Sequence, residues 1–384
     1  MKRREFITLL AAAAVWPLAA RAQQGERVRR VGILMPFDAQ DSFGREIISA
    51  LREGLKERGW AEGRNIRIDE RWIGRDDERR STYAAELVRS APDVLFACFA
   101  GQLAALSRET RAIPIVFVGV SDPVAAGYVA SFARPGGNIT GFVFFEPAMV
   151  GKWLGVLKEI APALSHVGFM VNPEVSPHYQ NYFSVFTNVA PKFKVEPIRC
   201  FVGRASEIED QIEALARQAN SGLLVAPDTF TALNRQLIAS SAARHRIPAV
   251  YVFREAVVAG GLISYGPEQL DVIRRSASYI DRIIRGERSA ELPIQAPVKF
   301  ELVINMKAAQ ALGLEIPPTL LARADEVIEL SCHLLRCMSP LMAQSGHTGM
   351  SALCPLSGAG STGHCNTARS LSVGVSKPKV FRGR

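Results

Sequence analysis

Cysteine is scarce over most of this chain: of six in 384 residues, only Cys98 and Cys200 fall within residues 23–329. That stretch was not built as a disulfide scaffold. Long apolar runs are missing too. The one near the N-terminus has about 14 residues, where a membrane span needs roughly 20. The first turn after a strand-like run, "MPFDAQDSFG", lacks the glycine fingerprint that a dinucleotide pyrophosphate needs for close backbone approach. "RPGGNITG" has turn glycines but no Gly-Lys-Ser/Thr entering a helix, which argues against a P-loop. Histidine is sparse as well: residues 23–329 hold His166, His178 and His245, none in a His-Glu-x-x-His setting, and Gly-x-Ser-x-Gly does not occur there. No metal, no cofactor and no catalytic residue is therefore expected, although a hydrolase with scattered triad partners stays open as a weaker alternative.

Acidic residues are absent from residues 330–384, which carry six basic ones. Residues 1–22 hold a net +3, so of the total +9 nothing remains for residues 23–329. The basic balance belongs to the two ends, and no nucleic-acid partner is expected.

What is present begins with "RREFITLL", a paired arginine before an apolar middle, then Ala20, Arg21 and Ala22 as a small-x-small exit. That layout is a signal peptide over residues 1–22, of twin-arginine type, cleaved after Ala22 and sending the product to the periplasm. From there, short β-branched runs alternate with helical segments: "RVGILM", "NIRIDERW", "DVLFAC" and "IPIVFVGV", a pause, then "HVGFMV", "FKVEPIRC", "GLLVAP" and "IPAVYVF". Continuous apolar strands with helical crossovers read as α/β with parallel sheets, in two lobes of like design. Ligands of such sheets bind off the strand carboxyl ends. The candidates at those ends are Phe37, Phe99, Gly101, Gln102, Ser121 and Asp122 in the first half, and Asn172, Asp228 and Thr229 in the second. Phe37 and Phe99 are candidates to stack on an apolar body, unless they only plug the core. Asp122, Asp228 or Glu146 are candidates to meet an ammonium group, although Asp228 is also placed to cap a helix and Asp122 to set a turn. The turn "FAGQLAAL" offers free N–H groups at a helix start to an anion.

"IPIVFVGVSDPVAAGYVASFARPGGNITGF" (113–142), "AGGLISYGP" (259–267) and "VINMKAAQALGLEIPPTLLARADEVIE" (303–329) resemble the substrate-binding proteins of ABC transporters, in the branch related to tryptophan and tyrosine uptake. The resemblance implies a type I periplasmic binding fold: two doubly wound parallel-sheet lobes joined by a three-segment hinge. Lobe one would be residues 28–122 plus 268–290, and lobe two 139–262 plus 297–329. Tyr265 would line the cleft or fix a bend at the hinge. The expected cargo is a small amino-acid-like molecule with an aromatic or apolar body; a purine or other aromatic heterocycle is the alternative. The expected partner is a membrane permease, with the protein itself a monomer. Amino-acid-binding relatives commonly carry serine or threonine in the 99–106 turn, where this chain has Gly101 and Gln102. The resemblance ends at Glu329. Beyond it Cys332, His333, Cys337, His347, Cys354, His364 and Cys365 lack a usual zinc-ligand spacing, and residues 330–384 read as a disordered extension.

Overall fold

The computed structural model describes residues 28–329 except 75, 77, 177 and 178, so the readings of residues 1–22 and 330–384 lie outside the described residues. The chain divides between Glu329 and Leu330.

The first lobe starts with β1 (Arg29–Met35), buried from Val31 onward. Its two leading arginines stay at the sheet margin, where Arg29 meets Asp93 at 2.9 Å and Arg30 meets Asp69 at 2.8 Å. In α1 (Ser42–Lys56), the Asp41 carboxylate accepts from the Gly44 N–H, and Phe43, Ile47, Ile48, Leu51 and Leu55 form the buried face. Their three- and four-residue spacing puts them on one stripe of the helix. There follow β2 (Ile66–Trp72), α2 (Arg79–Arg89), β3 (Val94–Cys98), α3 (Ala100–Glu109), β4 (Ile115–Val118) and β5 (Ile139–Phe142). The sheet order is β2-β1-β3-β4-β5, parallel throughout.

The second lobe repeats that plan. The chain runs through α4 (Met149–Ile160), β6 (His166–Val171), α5 (Tyr179–Val189), β7 (Glu196–Phe201), α6 (Ala205–Ala216) and β8 (Ser221–Val225). It continues through α7 (Thr229–Leu233), α8 (Arg235–Arg244), β9 (Ala249–Tyr251), α9 (Arg254–Val258) and β10 (Ile263–Pro267). The order β7-β6-β8-β9-β10 matches that of the first sheet. After it, α10 (Gln269–Ile284) returns to lobe one and packs along α1 so closely that a Cβ on Gly54 would lie 2.4 Å from the Arg274 carbonyl oxygen. Only a glycine permits that approach. The chain then re-enters the second sheet as β11 (Phe300–Asn305), antiparallel to β10, and passes α11 (Met306–Ala311) and α12 (Pro318–Leu321) to β12 (Glu326–Ile328) at the edge.

One boundary differs from the sequence reading. Residues 139–142, expected in lobe two, form β5 of the first sheet, with Ile139 opposite Ile115. The proline- and glycine-bearing segment before them looked like a crossover. It is instead stitched to lobe one: Asn138 Nδ2 donates to the Ile113 carbonyl at 2.8 Å, and Gly136 N donates to Ala290 O at 3.2 Å. The first crossing therefore falls at residues 143–148. The third falls after Gln295, whose N–H still bonds Gly141 beside β5. The second follows Pro267, and there Trp153 Nε1 donates to the Tyr265 carbonyl at 2.7 Å.

Candidate functional site

Each sheet has its switch point where the chain order reverses, between β1 and β3 in one lobe and β6 and β8 in the other. A cavity of about 480 Å³ lies where these carboxyl ends face each other. Lobe one lines it with Phe99, Gly101, Ser121 and Asp122, and lobe two with Asp228 and Thr229. Six residues named at strand ends are thus brought together.

Phe99 shapes the lobe-one wall. Its backbone sits at φ 70°, ψ 171°, and its side chain gives α3 no capping bond. That region of backbone space is close to glycine-only and costs about 1–3 kcal/mol. The ring is what holds it there, edge-on to Phe37 and Phe144 at 5.9 Å each and to Phe253 of lobe two at 6.2 Å. Gly119 makes room for it, since a Cβ there would stand 2.7 Å from the ring. In consequence the first-turn N–H groups of α3 reach the cavity without a side-chain acceptor. A helix end of this kind favours a carboxylate.

Two carboxylates in the wall, Asp228 and Asp122, are committed elsewhere, while a third, Glu174, stands exposed at the rim. Asp228 accepts from Asn172 N at 2.9 Å and from Thr231 N at 2.7 Å, so it caps α7 and ties the ends of β6 and β8 together. Burial pushes its pKa up to about 6, against the opposing pull of those N–H groups. Asp122 accepts from Ala125 N at 2.9 Å and, across the cleft, from Asn181 Nδ2 of α5 at 3.0 Å.

Four candidates stand off the wall. Phe37 is fully buried beneath Phe99, 5.4 Å from the Phe43 ring, as a core plug. Gln102 is fully buried on the opposite face of α3, and its amide has no partner among the described residues. Asn172 is buried too, its side-chain oxygen accepting from Glu174 N at 2.9 Å. Tyr265 stacks on Phe300 at 6.1 Å in the hinge, with the Lys152 ammonium 5.9 Å from its ring. Glu146, also considered for an ammonium, is exposed at the first crossing.

The sequence reading missed Arg80, Arg108 and Tyr128, all of which line the cavity from lobe one. Burial, and then the charge of Arg108, hold the Arg80 guanidinium below its usual range. Burial raises the Tyr128 phenol, and Arg108 partly offsets that. The signal for Arg108 was helical spacing: Gly101, Ala104, Ala105 and Arg108 share one face of α3, and all four meet the cavity. Tyr182 of α5 was missed as well. It stacks on Trp153 at 6.3 Å, and its buried hydroxyl, with pKa raised chiefly by burial, faces Ser121 of the other lobe.

The lobes also meet outside the cavity. Arg235 at the start of α8 pairs with Asp41 at the head of α1 at 2.8 Å, both side chains less than a fifth exposed.

Residues 31–328 match the family described as ABC transporter substrate binding protein. The chain is 24% identical over 264 residues to a tyrosine-binding protein of Clostridioides difficile, covering 68% of this chain and 75% of that one. A solved conserved domain protein from Vibrio cholerae is 25% identical, with a TM-score of 0.73 over 78% of this chain and 100% of its own. An ABC domain from Streptococcus pneumonia in complex with L-Trp shares the fold at a TM-score of 0.71 and 22% identity, over 78% of this chain and 99% of that one.

Proposed function

This chain belongs to the ABC transporter substrate-binding proteins, and from that premise we propose that it captures a small, amino-acid-like molecule with an aromatic or apolar body in the interlobe cavity. The observation that carries the reading is the uncapped first turn of α3, held open to that cavity by the strained backbone of Phe99. A carboxylate seated there is the ligand's anchor on lobe one, and Phe99 offers its body an aromatic surface. Contacts from both walls then bias the lobes toward closure, because a ligand that touches both stabilises the closed arrangement by its differential affinity. The Asp41–Arg235 pair and the Asp122–Asn181 hydrogen bond already cross the cleft. The three crossings absorb the motion. A permease of an ABC importer receives the cargo, and the receptor works as a monomer that binds no nucleic acid.

Binding without turnover is the second part of the proposal. His166 and His245 lie near Glu196 and Glu209 of lobe two, off the cavity wall. The Cys98 and Cys200 thiols are buried, and burial pushes Cys200 up to about 12. Neither supplies a nucleophile to the cavity. Export with cleavage after Ala22 completes the reading, supported by the layout of residues 1–22 and by the family.

Thermal-shift titration of the full chain tests it, with L-tyrosine, L-tryptophan, aromatic carboxylates and nucleobases as probes. A saturable rise in Tm with an amino acid or a carboxylate is the expected result. A rise with nucleobases alone, or hydrolysis of a test ester without any rise, would sink the proposal.

A further inference from the structure

Beside the second crossing, α9 of lobe two faces α1 and α10 of lobe one along a seam. A narrow cavity marks it, lined by Phe43 of lobe one and by Arg235, Tyr251, Phe253 and Glu255 of lobe two. A hydrogen bond spans the seam: Gln269 Nε2, at the start of α10, donates to Glu255 Oε2 of α9 at 3.2 Å. Gln269 is 3% exposed, and its Oε1 is buried with no partner among the described residues. A buried acceptor left without a donor is costly. An ionised Glu255 has no proton to give it. A protonated Glu255 does, and acid and amide then pair at two points, the carboxyl O–H donating to Oε1 while Nε2 still donates to the carboxyl.

The cations around Glu255 are engaged with other carboxylates. Arg254, its neighbour on α9, pairs with Glu326 at 2.6 Å and with Glu301 at 3.8 Å, and Arg235 of α8 pairs with Asp41 at 2.8 Å. Glu301 of β11 and, from lobe one, Glu46 of α1 add negative charge nearby, while Glu268 beside Gln269 has Lys299 at 3.8 Å. The Tyr251 hydroxyl of β9 is buried on the same cavity. Burial lifts the Glu255 carboxyl to about 7 from an ordinary 4.5, over the opposing pull of its own N–H and of the Arg254 and Arg235 charges, and Glu46 adds to the rise. Opening the seam would admit water to this carboxyl and part it from Gln269 and Glu46, so its hold on the proton would fall back towards the ordinary value. The closed seam therefore binds the proton more tightly, and by reciprocity the proton favours the closed seam.

We propose that Glu255 and Gln269 form a proton-gated latch between the lobes: protonation of Glu255 completes the acid–amide pair and holds the seam closed, and ionisation releases it. The latch acts on the lobes whichever cargo the cavity takes, so it goes beyond the reading of the cargo site. Its preference for closure is complete below about pH 4.5 and gone above about pH 7, falling by up to about tenfold per pH unit between them.

Small-angle X-ray scattering of the ligand-free full chain between about pH 5 and 8 tests the latch without any cargo. The radius of gyration should rise with pH and level off above about 7. Glu255→Gln, whose amide keeps a two-point pair and has no proton to lose, should stay compact throughout. Glu301→Gln should keep the rise, displaced to lower pH because one repelling charge is gone. Gln269→Leu, which cannot form the pair, should be expanded at every pH, and it carries the test if the Glu255 variant does not fold. A radius that ignores pH in the original protein would overturn the inference. So would a Glu255→Gln or Gln269→Leu protein that follows pH as the original does.

Discussion

In lobe one the third strand of the sheet, β3, runs into α3 through Phe99, which offers no capping oxygen and leaves the first-turn N–H groups open. At the equivalent place in lobe two, β8 runs into α7 through Asp228, whose carboxylate accepts from Thr231 N and closes that turn. Strand order, direction and position in the sheet are the same. One residue type at the cap decides whether the first-turn N–H groups are left open or tied to a side chain. Lobe one thus presents an open helix start and a strained backbone to the cavity, and lobe two a helix start capped by its own side chain.

The strongest way to break this contrast is at Phe99. Phe99→Ala removes the ring that clamps Phe37, Phe144 and Phe253 yet keeps a Cβ at positive φ, and should cost about 3–5 kcal/mol in denaturant unfolding. Phe99→Gly loses the same ring but relieves the backbone, so it should be the less damaged of the two. A glycine variant no more stable than the alanine one would show that the strain does not exist.

Asp228→Asn sharpens the other side. The folded protein holds the Asp228 proton up to about pH 6 against an ordinary value of 3.8, so the folded state binds it more tightly than the unfolded chain does. The stability this contributes is complete below about pH 4 and lost as pH rises through about 6, a decline of about 3 kcal/mol. In the asparagine variant that part of the decline should vanish. Parallel stability profiles for the two proteins between pH 4 and 7 would refute the assignment.

The smallest effect is expected at the contact that joins the lobes away from the cavity. Arg235→Ala deletes the bond to Asp41, which still caps α1, and should lower stability by about 1 kcal/mol. Its clearer readout is shape: small-angle X-ray scattering of the ligand-free protein should show a larger radius of gyration. Unchanged scattering would mean that this pair does not hold the lobes together.

Much of the framework was legible in order. "RVGILM", "DVLFAC", "HVGFMV" and "GLLVAP" are buried parallel strands, and Asp228 before Thr229 is the cap that its residue type suggests. The lobe boundary was not legible, because "RPGGNI" has the composition of a linker, while what fixes it to lobe one is a side-chain bond from Asn138 to a carbonyl 25 residues away. Gln102 and Arg108 were separable in principle. One turns inward and the other outward on the same helix, and a count around α3 puts Arg108 with Gly101. Phe37 illustrates the opposite limit: a phenylalanine at a strand end plugs a core or lines a cleft according to what lies above it, and above it lies Phe99.

The sequence by itself determined the α/β alternation, the parallel strands and the helix starts, because periodicity, apolar runs and capping residues act over a few positions of chain. It also determined that Phe99, Gly101, Ser121, Asp122, Asp228 and Thr229 lie at strand ends that a doubly wound sheet brings together by topology, while Phe37, Gln102, Asn172 and Tyr265 stand off the wall. Only the tertiary structure decided which carboxylates remain free, which lobe owns β5, and that Arg80 and Arg108 share a wall. Those outcomes depend on hydrogen bonds and charges between segments far apart in sequence, such as Asp122 with Asn181 and Asp41 with Arg235, whose energies exist only once the lobes are in place.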